Sequence, residues 1–252
     1  MIWLVHGFLG RAADWDGLAR ALAAAGIDEV RRCDLFAPEP ADPDPDLELR
    51  PGRASPDLPT WGERFAARAT ATGRRPVVVG YSLGARLALH ALLAAPEAWR
   101  AAILVSAHPG LASEAERSAR RAADEVWARR FETDAWADLM RAWHAQPVFG
   151  GRGGSRARGE ARFDRTRLAA ALRVWSLGTQ ENLRPRLRTL RCPVLWLAGD
   201  GDEKFVRVAR DAAPEVPDVE LRIVEGAGHR VPWEAPDAFH ALCRTFLSRL
   251  KH

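Results

Sequence analysis

The sequence predicts an α/β fold: a mostly parallel, doubly wound sheet with an inserted helical lid. Three observations predict it. Short apolar runs alternate with amphipathic stretches of helix length, the rhythm of strand–helix–strand units. A G-x-S-x-G motif, Gly80-Tyr81-Ser82-Leu83-Gly84, stands between an apolar run and a helix-like stretch. From about residue 111 to 180 the alternation stops and only helical patterns follow.

Taken in order, Ile2–Val5 reads as a first strand. Asp14 to Ala25 is amphipathic, opens on Asp14 as an N-cap and closes before Gly26. Val30–Leu35 is a weak strand, and Pro38 to Pro59, rich in Pro and Asp, is a loop. Trp61 to Thr72 is a helix ended by Gly73; Val77–Gly80 is a strand; Ala85 to Ala95 is a helix stopped by Pro96. Ala101–Ser106 is the next strand. Helices follow over about 113–131, 134–145 and 164–177, the first opening on the capping box Ser113-Glu114-Ala115-Glu116. A Gly/Arg-rich loop, Gly150 to Gly159, separates the second from the third. Strands at Val194–Gly199 and Val219–Val224 and a helix over Pro236 to Leu250 close the chain. Residues 1–110 and 181–252 thus form the core, and 111–180 a lid over the sheet edge where open α/β sheets bind ligands.

Composition narrows the function. With 252 residues, 47% hydrophobic and 28% charged, the chain buries a sizeable core. No apolar run nears the roughly 20 residues of a membrane span, and Met1-Ile2-Trp3-Leu4-Val5 reads as a strand, not a signal peptide. Cys33, Cys192 and Cys243 are odd in number and far apart, which fits neither a disulfide framework nor a metal cluster; a reducing cytoplasm is expected, with no metal and no cofactor. The net charge is +4 and nearly all of the basic residues are Arg. No basic run is interleaved with aromatics, so a small anionic substrate is expected rather than nucleic acid.

The G-x-S-x-G context is that of a nucleophile elbow, where a strained strand-to-helix turn exposes Ser82. A serine hydroxyl needs an imidazole to take its proton, and the imidazole needs a carboxylate to fix its tautomer. Asp202 and His229 follow later strands in that order. Asp200 competes with Asp202; Asp202 is preferred because the chain first turns on glycines. His6-Gly7-Phe8-Leu9-Gly10 follows the first strand, and the Phe8 and Leu83 amides are placed to form an oxyanion hole. His6 itself reads as a buried imidazole bonding loop backbone. His90, His144, His240 and His252 read as surface or packing residues.

The elbow, the H-G-F-L-G turn, the Asp and the His together resemble the α/β-hydrolase superfamily and imply the α/β-hydrolase fold. A narrower resemblance runs from Val5 to about Glu234. It is carried by Tyr81-Ser82-Leu83-Gly84-Ala85-Arg86, His108-Pro109-Gly110-Leu111, Arg117, Arg120, Trp127 and Phe131. It continues in Trp143, Gln146-Pro147-Val148-Phe149, Ser176-Leu177-Gly178-Thr179-Gln180 and Asp202-Glu203-Lys204-Phe205. In that order these resemble the family of 2-succinyl-6-hydroxy-2,4-cyclohexadiene-1-carboxylate synthases of menaquinone biosynthesis. The resemblance implies elimination of pyruvate from an enolpyruvyl-cyclohexene tricarboxylate without hydrolysis. Ser82, His229 and Asp202 would be catalytic, with Tyr81, Arg86, Arg120, Trp143 and Lys204 at the substrate.

Bland readings stand beside these. Arg86 and Arg120 also fit a solvated helix face, Tyr81 and Trp143 a plain core, and Lys204 a helix cap. The sequence departs from the family in three places. An R-S-N-N-like lid stretch is replaced by the shorter Gly151 to Arg167, where Arg158 and Arg162 are both candidates for the missing arginine. The loop 38–59 is longer, and Ala85 stands for a second elbow glycine. A serine hydrolase acting on a small acidic ester or C–C bond is the alternative function, and a non-catalytic binder a third.

Overall fold

The computed structural model describes residues 1–36, 47, 49, 55–150 and 158–250. Six strands, β1 (Ile2–Val5), β2 (Val30–Arg32), β3 (Val77–Tyr81), β4 (Ala101–Val105), β5 (Val194–Gly199) and β6 (Val219–Val224), form one sheet in the order β2-β1-β3-β4-β5-β6. Every pairing is parallel, for example Val5 opposite Gly80 and Tyr81 opposite Val105.

The apolar runs have a direct cause. Successive side chains on a strand leave by opposite faces, and a parallel sheet is covered on both. Trp3, Val5, Val78, Ala102, Leu104, Val194 and Trp196 enter one core. Ile2, Leu4, Val77, Val79, Ile103, Leu195 and Leu197 enter the other. Each fully buried Val or Leu contributes about 1.5–3 kcal/mol. The first core is covered by α2 (Leu58–Thr70) and α3 (Leu83–Ala94), the second by α1 (Asp16–Ala23) and α9 (Pro236–Arg249). The edge strands expose Arg31, Arg32 and Arg222, charges that discourage edge-to-edge pairing.

Between β4 and β5 lie α4 (Glu114–Thr133), α5 (Trp136–His144) and α6 (Arg165–Val174). The Ser113/Glu116 capping box opens α4, and the Asp164 side chain caps α6 through the Arg167 amide. After β5 come α7 (Glu203–Ala212) and, after β6, the single turn α8 (Val231–Glu234).

Several sequence expectations shift. Asp14 does not cap α1: it sits inside a 3-10 turn, Ala12–Trp15, that tucks Trp15 into the core. Its carboxylate accepts the Arg11 amide and pairs with Arg158 at 2.9 Å. The second strand ends at Arg32, three residues early. The helix expected from Trp61 begins at Leu58, because Asp57 caps it through the Thr60 amide and Pro59 fits a first turn whose amides lack helical partners. Most of the rest of the Pro/Asp-rich loop and most of the Gly150–Gly159 loop lie outside the described residues, as does His252. α7 stands outside the elements expected from sequence, although Phe205, Val208, Ala209 and Ala212 give it a buried stripe at helical spacing.

Two glycines set the elbow. A Cβ on Gly80 would lie 2.7 Å from Ala85 Cα, and one on Gly84 would collide with the Val5 and His6 carbonyls. Because neither carries a Cβ, α3 starts hard against β1 and β3 and the chain turns within one residue. That residue, Ser82, takes φ 53° and ψ −111°, a region L residues avoid. Its amide is anchored to the Val105 carbonyl at 2.9 Å.

Candidate active site

The C-terminal ends of the strands deliver the expected residues to one place. His229, after β6, sets Nε2 3.0 Å from Ser82 Oγ. Its Nδ1 lies 2.7 Å from Asp202 Oδ2. His229 is 5% and Asp202 6% exposed, so the pair is shielded from water. The carboxylate accepts a hydrogen bond from Nδ1–H and so holds the ring proton on Nδ1, which leaves Nε2 as the acceptor for the serine proton. Asp202 Oδ1 also accepts the Phe205 amide at 3.2 Å, so the same side chain caps α7. Asp200 is exposed and lies outside the cavity; the Gly201 amide bond to the Ala227 carbonyl completes the turn that carries Asp202 inward.

A cavity of about 660 Å³ opens above Ser82, lined from both the sheet edge and the inserted helices. Phe8, Tyr81, Leu83, Arg86, Arg120, Trp143 and Lys204, all picked out from sequence, line it. Leu83 opens α3, so its amide is one of the first-turn donors with no helical partner. The Phe8 and Trp143 rings lie tilted with centres 4.8 Å apart, Trp127 meets Trp143 edge-on in the same wall, and the buried Phe131 packs behind Phe8 and Trp143. Tyr81 is 7% exposed and packs edge-on against Trp233, so it is both core and cavity wall. Burial pushes its phenol pKa well up, so it stays a neutral hydroxyl.

Cationic side chains line the cavity as well. Arg86 is 9% exposed and donates to the Trp175 carbonyl at 2.7 Å and to Gln180 Oε1 at 3.1 Å. The solvated-face reading of Arg86 is thereby excluded. Both partners are neutral. Burial, and then the nearby Arg120 guanidinium, lower its pKa. Arg120 bonds Asp124, which also receives the Ser176 hydroxyl at 2.7 Å. Lys204 pairs with no carboxylate among the described residues; burial, then Arg120, lower its pKa.

His6 is sealed. Its Nδ1 donates to the Gly7 carbonyl at 2.8 Å and its Nε2 accepts the Leu35 amide at 2.9 Å, as a structural imidazole should. His90 is buried in α3 and packs against Gly62. Neither Arg158 nor Arg162, the two candidates for the missing arginine, lines the main cavity. Arg158 is held by Asp14 beside a smaller hollow, and Arg162 is exposed. Sequence reasoning missed Ser106 and Gln180. Ser106 has φ 49° and donates its hydroxyl to the His229 carbonyl at 2.9 Å; Gln180 bridges Arg86 to the His108 carbonyl. Ser106 left no signal because its strain is invisible in a residue name; Gln180 stood in a recognised stretch without a role.

Among the described residues no group of three His, Cys, Asp or Glu side chains is placed to hold a metal ion. No helix among them is long and apolar enough to cross a membrane.

A parallel sheet, a strained serine after β3, and an Asp–His pair from the ends of β5 and β6 define an α/β-hydrolase. The chain belongs to the alpha/beta hydrolase family, whose model matches residues 4–242. It is 36% identical to the 2-succinyl-6-hydroxy-2,4-cyclohexadiene-1-carboxylate synthase of Serratia proteamaculans (strain 568), over 98% of this chain and 92% of that protein. It is 32% identical to the Klebsiella pneumoniae (strain 342) protein of the same name, over 68% of each chain. The solved structure of MenH from S. aureus superposes with a TM-score of 0.85 at 23% identity, covering 100% of this chain and 94% of that one. A thermophilic esterase from Thermogutta terrifontis, in a malate-bound structure, gives 0.71 at 19%, over 100% of this chain and 90% of that one.

Proposed function

We propose that this protein is a lyase of menaquinone biosynthesis, a 2-succinyl-6-hydroxy-2,4-cyclohexadiene-1-carboxylate synthase. It would eliminate pyruvate from 2-succinyl-5-enolpyruvyl-6-hydroxy-3-cyclohexene-1-carboxylate. The single observation that carries the reading is the 36% identity to a synthase of that name along 98% of the chain. The cavity agrees with it: three cations, Arg86, Arg120 and Lys204, line it together with Ser82 and the aromatic rings. Three carboxylates, one on the ring, one on the succinyl chain and one on the enolpyruvyl group, need such a lining, and a guanidinium offers a carboxylate a two-pronged donor.

In this reading Ser82, His229 and Asp202 form the catalytic triad. Ser82 Oγ takes the proton from the ring carbon while passing its own to His229 Nε2. The electron pair shifts through the ring, and the C–O bond to the enolpyruvyl group breaks. The leaving group gains a proton and departs as pyruvate, so no water enters the balance. Negative charge that develops on a substrate oxygen is held by the Phe8 and Leu83 amides. Asp202 keeps the imidazole in the right tautomer and stabilises it once charged. Tyr81 and Trp143 shape the wall against which the ring lies. The insertion 111–180 acts as a lid whose Arg120 and Trp143 meet the substrate, and the enzyme works in the cytoplasm.

The test is to supply the enolpyruvyl tricarboxylate and follow pyruvate release, with Ser82→Ala as control. The triad geometry equally suits a serine hydrolase. Turnover of p-nitrophenyl acetate that Ser82→Ala abolishes, without any pyruvate release, would establish that second reading and defeat the first.

A further inference from the structure

The cavity is lined by a buried histidine that the proposed reaction leaves unused and whose hydrogen bonding the protein leaves incomplete. His108 follows β4, lines the cavity and is 6% exposed. Its Nδ1 accepts the Gly110 amide at 3.1 Å. A ring nitrogen that accepts an N–H carries no proton, so in the neutral ring the proton sits on Nε2. That Nε2 has no hydrogen-bond partner among the described residues. It is also absent from the partnerless nitrogens sealed off from solvent, a group that includes His90 Nε2. A donor buried this deeply, with no protein acceptor but with access to the cavity, lacks only a ligand.

Its position is fixed from behind. Gln180 donates to the His108 carbonyl at 3.0 Å, and the same amide group accepts Arg86 at 3.1 Å. The imidazole stands edge-to-face on Phe205, 6.0 Å between ring centres. Arg86 and His108 are therefore held at one spacing by a single side chain.

We propose that His108 is a substrate-binding residue, its Nε2–H donating a hydrogen bond to a carboxylate oxygen of the substrate beside the Arg86 guanidinium. The inference rests on the reading that this cavity takes a carboxylate-bearing molecule. Its chemical merit is that the donor is uncharged. Burial first, and then Lys204, Arg86, Arg184 and Arg120, push the His108 pKa down to about 3. A fourth cation there would be repelled by the other three lining the cavity, whereas a neutral N–H adds a directed bond without added repulsion. The bond stays available across the neutral pH range, because the imidazole stays uncharged there.

Two substitutions separate the donor from the turn. In His108→Asn, Oδ1 replaces Nδ1 as acceptor for the Gly110 amide, but no donor reaches the Nε2 position. In His108→Gln, the amide nitrogen falls near Nε2. Pyruvate release gives KM. Calorimetric titration with 2-succinylbenzoate, a stable aromatic dicarboxylate, gives affinity without turnover. His108→Asn should weaken both by ~10–100-fold, one hydrogen bond to a charged acceptor, with kcat changing less. His108→Gln should recover most of the loss. In case either variant fails to fold, the wild-type His108 Nε2–H resonance should shift when 2-succinylbenzoate is added. Wild-type KM and affinity in His108→Asn, an unmoved resonance, or no dicarboxylate binding by the wild type would each overturn the inference. Dicarboxylate binding that depends on His108, without pyruvate release, would leave it standing while removing the lyase.

Discussion

Replacing Asp202 by asparagine exchanges one carboxylate oxygen for an amide nitrogen and changes no shape, and the surroundings dictate how the amide must sit. Oδ1 accepts the Phe205 amide at 3.2 Å at the start of α7. Reversing the amide would set N–H against N–H there, at about 1–3 kcal/mol for the lost acceptor. The nitrogen of the introduced amide is thus driven to the Oδ2 position, 2.7 Å from His229 Nδ1. An amide N–H only donates, so Nδ1 must accept and the ring proton moves to Nε2. Nε2, 3.0 Å from Ser82 Oγ, then presents a proton where it should receive one. The wrong tautomer should lower kcat by ~10³–10⁴, or about 4–5.5 kcal/mol of barrier. The melting temperature should stay near wild type, because the cap survives. Asp202→Ala provides the contrast: it removes the cap as well, for about 1 kcal/mol of stability, roughly 2–4 °C in a chain of this size. Pyruvate release and a thermal melt on both variants settle the matter. Activity within tenfold of wild type in Asp202→Asn would refute the assignment of Asp202 as the residue that fixes the tautomer.

Other outcomes follow from the same geometry. Arg86→Ala should cut kcat/KM for the tricarboxylate by ~10–1000-fold, the loss of one or two charge-assisted bonds; an unchanged value removes Arg86 from the substrate. Ser82→Gly should abolish activity yet raise stability by roughly 1–2 kcal/mol, since glycine accepts the φ of 53° without strain, and a melt that falls instead counts against the strained elbow. Burial and then Arg120 favour the neutral form of Lys204, so its amine loses its proton below the ordinary lysine range. Its pull on a carboxylate is present below that lowered pKa and lost as pH rises through it. KM should therefore climb on the alkaline side, and in Lys204→Met it should be high and flat there; a KM profile shared by both proteins would show that Lys204 does not meet the substrate.

Much of this is legible in the chain because parallel strands must be apolar on both faces. Val77-Val78-Val79 serves two cores at once, and no alternating surface pattern blurs it. The elbow and the Asp–His order are legible because glycines and strand ends mark them locally. What is not legible depends on distance or on double duty. Asp14 looks like a helix cap, yet its partner Arg158 is 144 residues away. Asp202 declares its chemistry in the sequence, while its second role as the cap of α7 shows only with the helix in place. His108 stands in the sequence as one letter of a motif, and its unfilled donor exists only once Gly110 occupies the other nitrogen.

The approach of Gly84 to the carbonyls of Val5 and His6 has a practical consequence for anyone redesigning this protein. Backbone rests on backbone there, so the height of Ser82 above the sheet is referenced to main chain and not to any side-chain volume. Repacking of Leu87 or Leu92 further along α3 should therefore leave the serine in register. A single methyl group at position 84 would lift the helix start and move the serine hydroxyl, and no compensating trim of a neighbouring side chain could restore it, because the obstacle is peptide carbonyl.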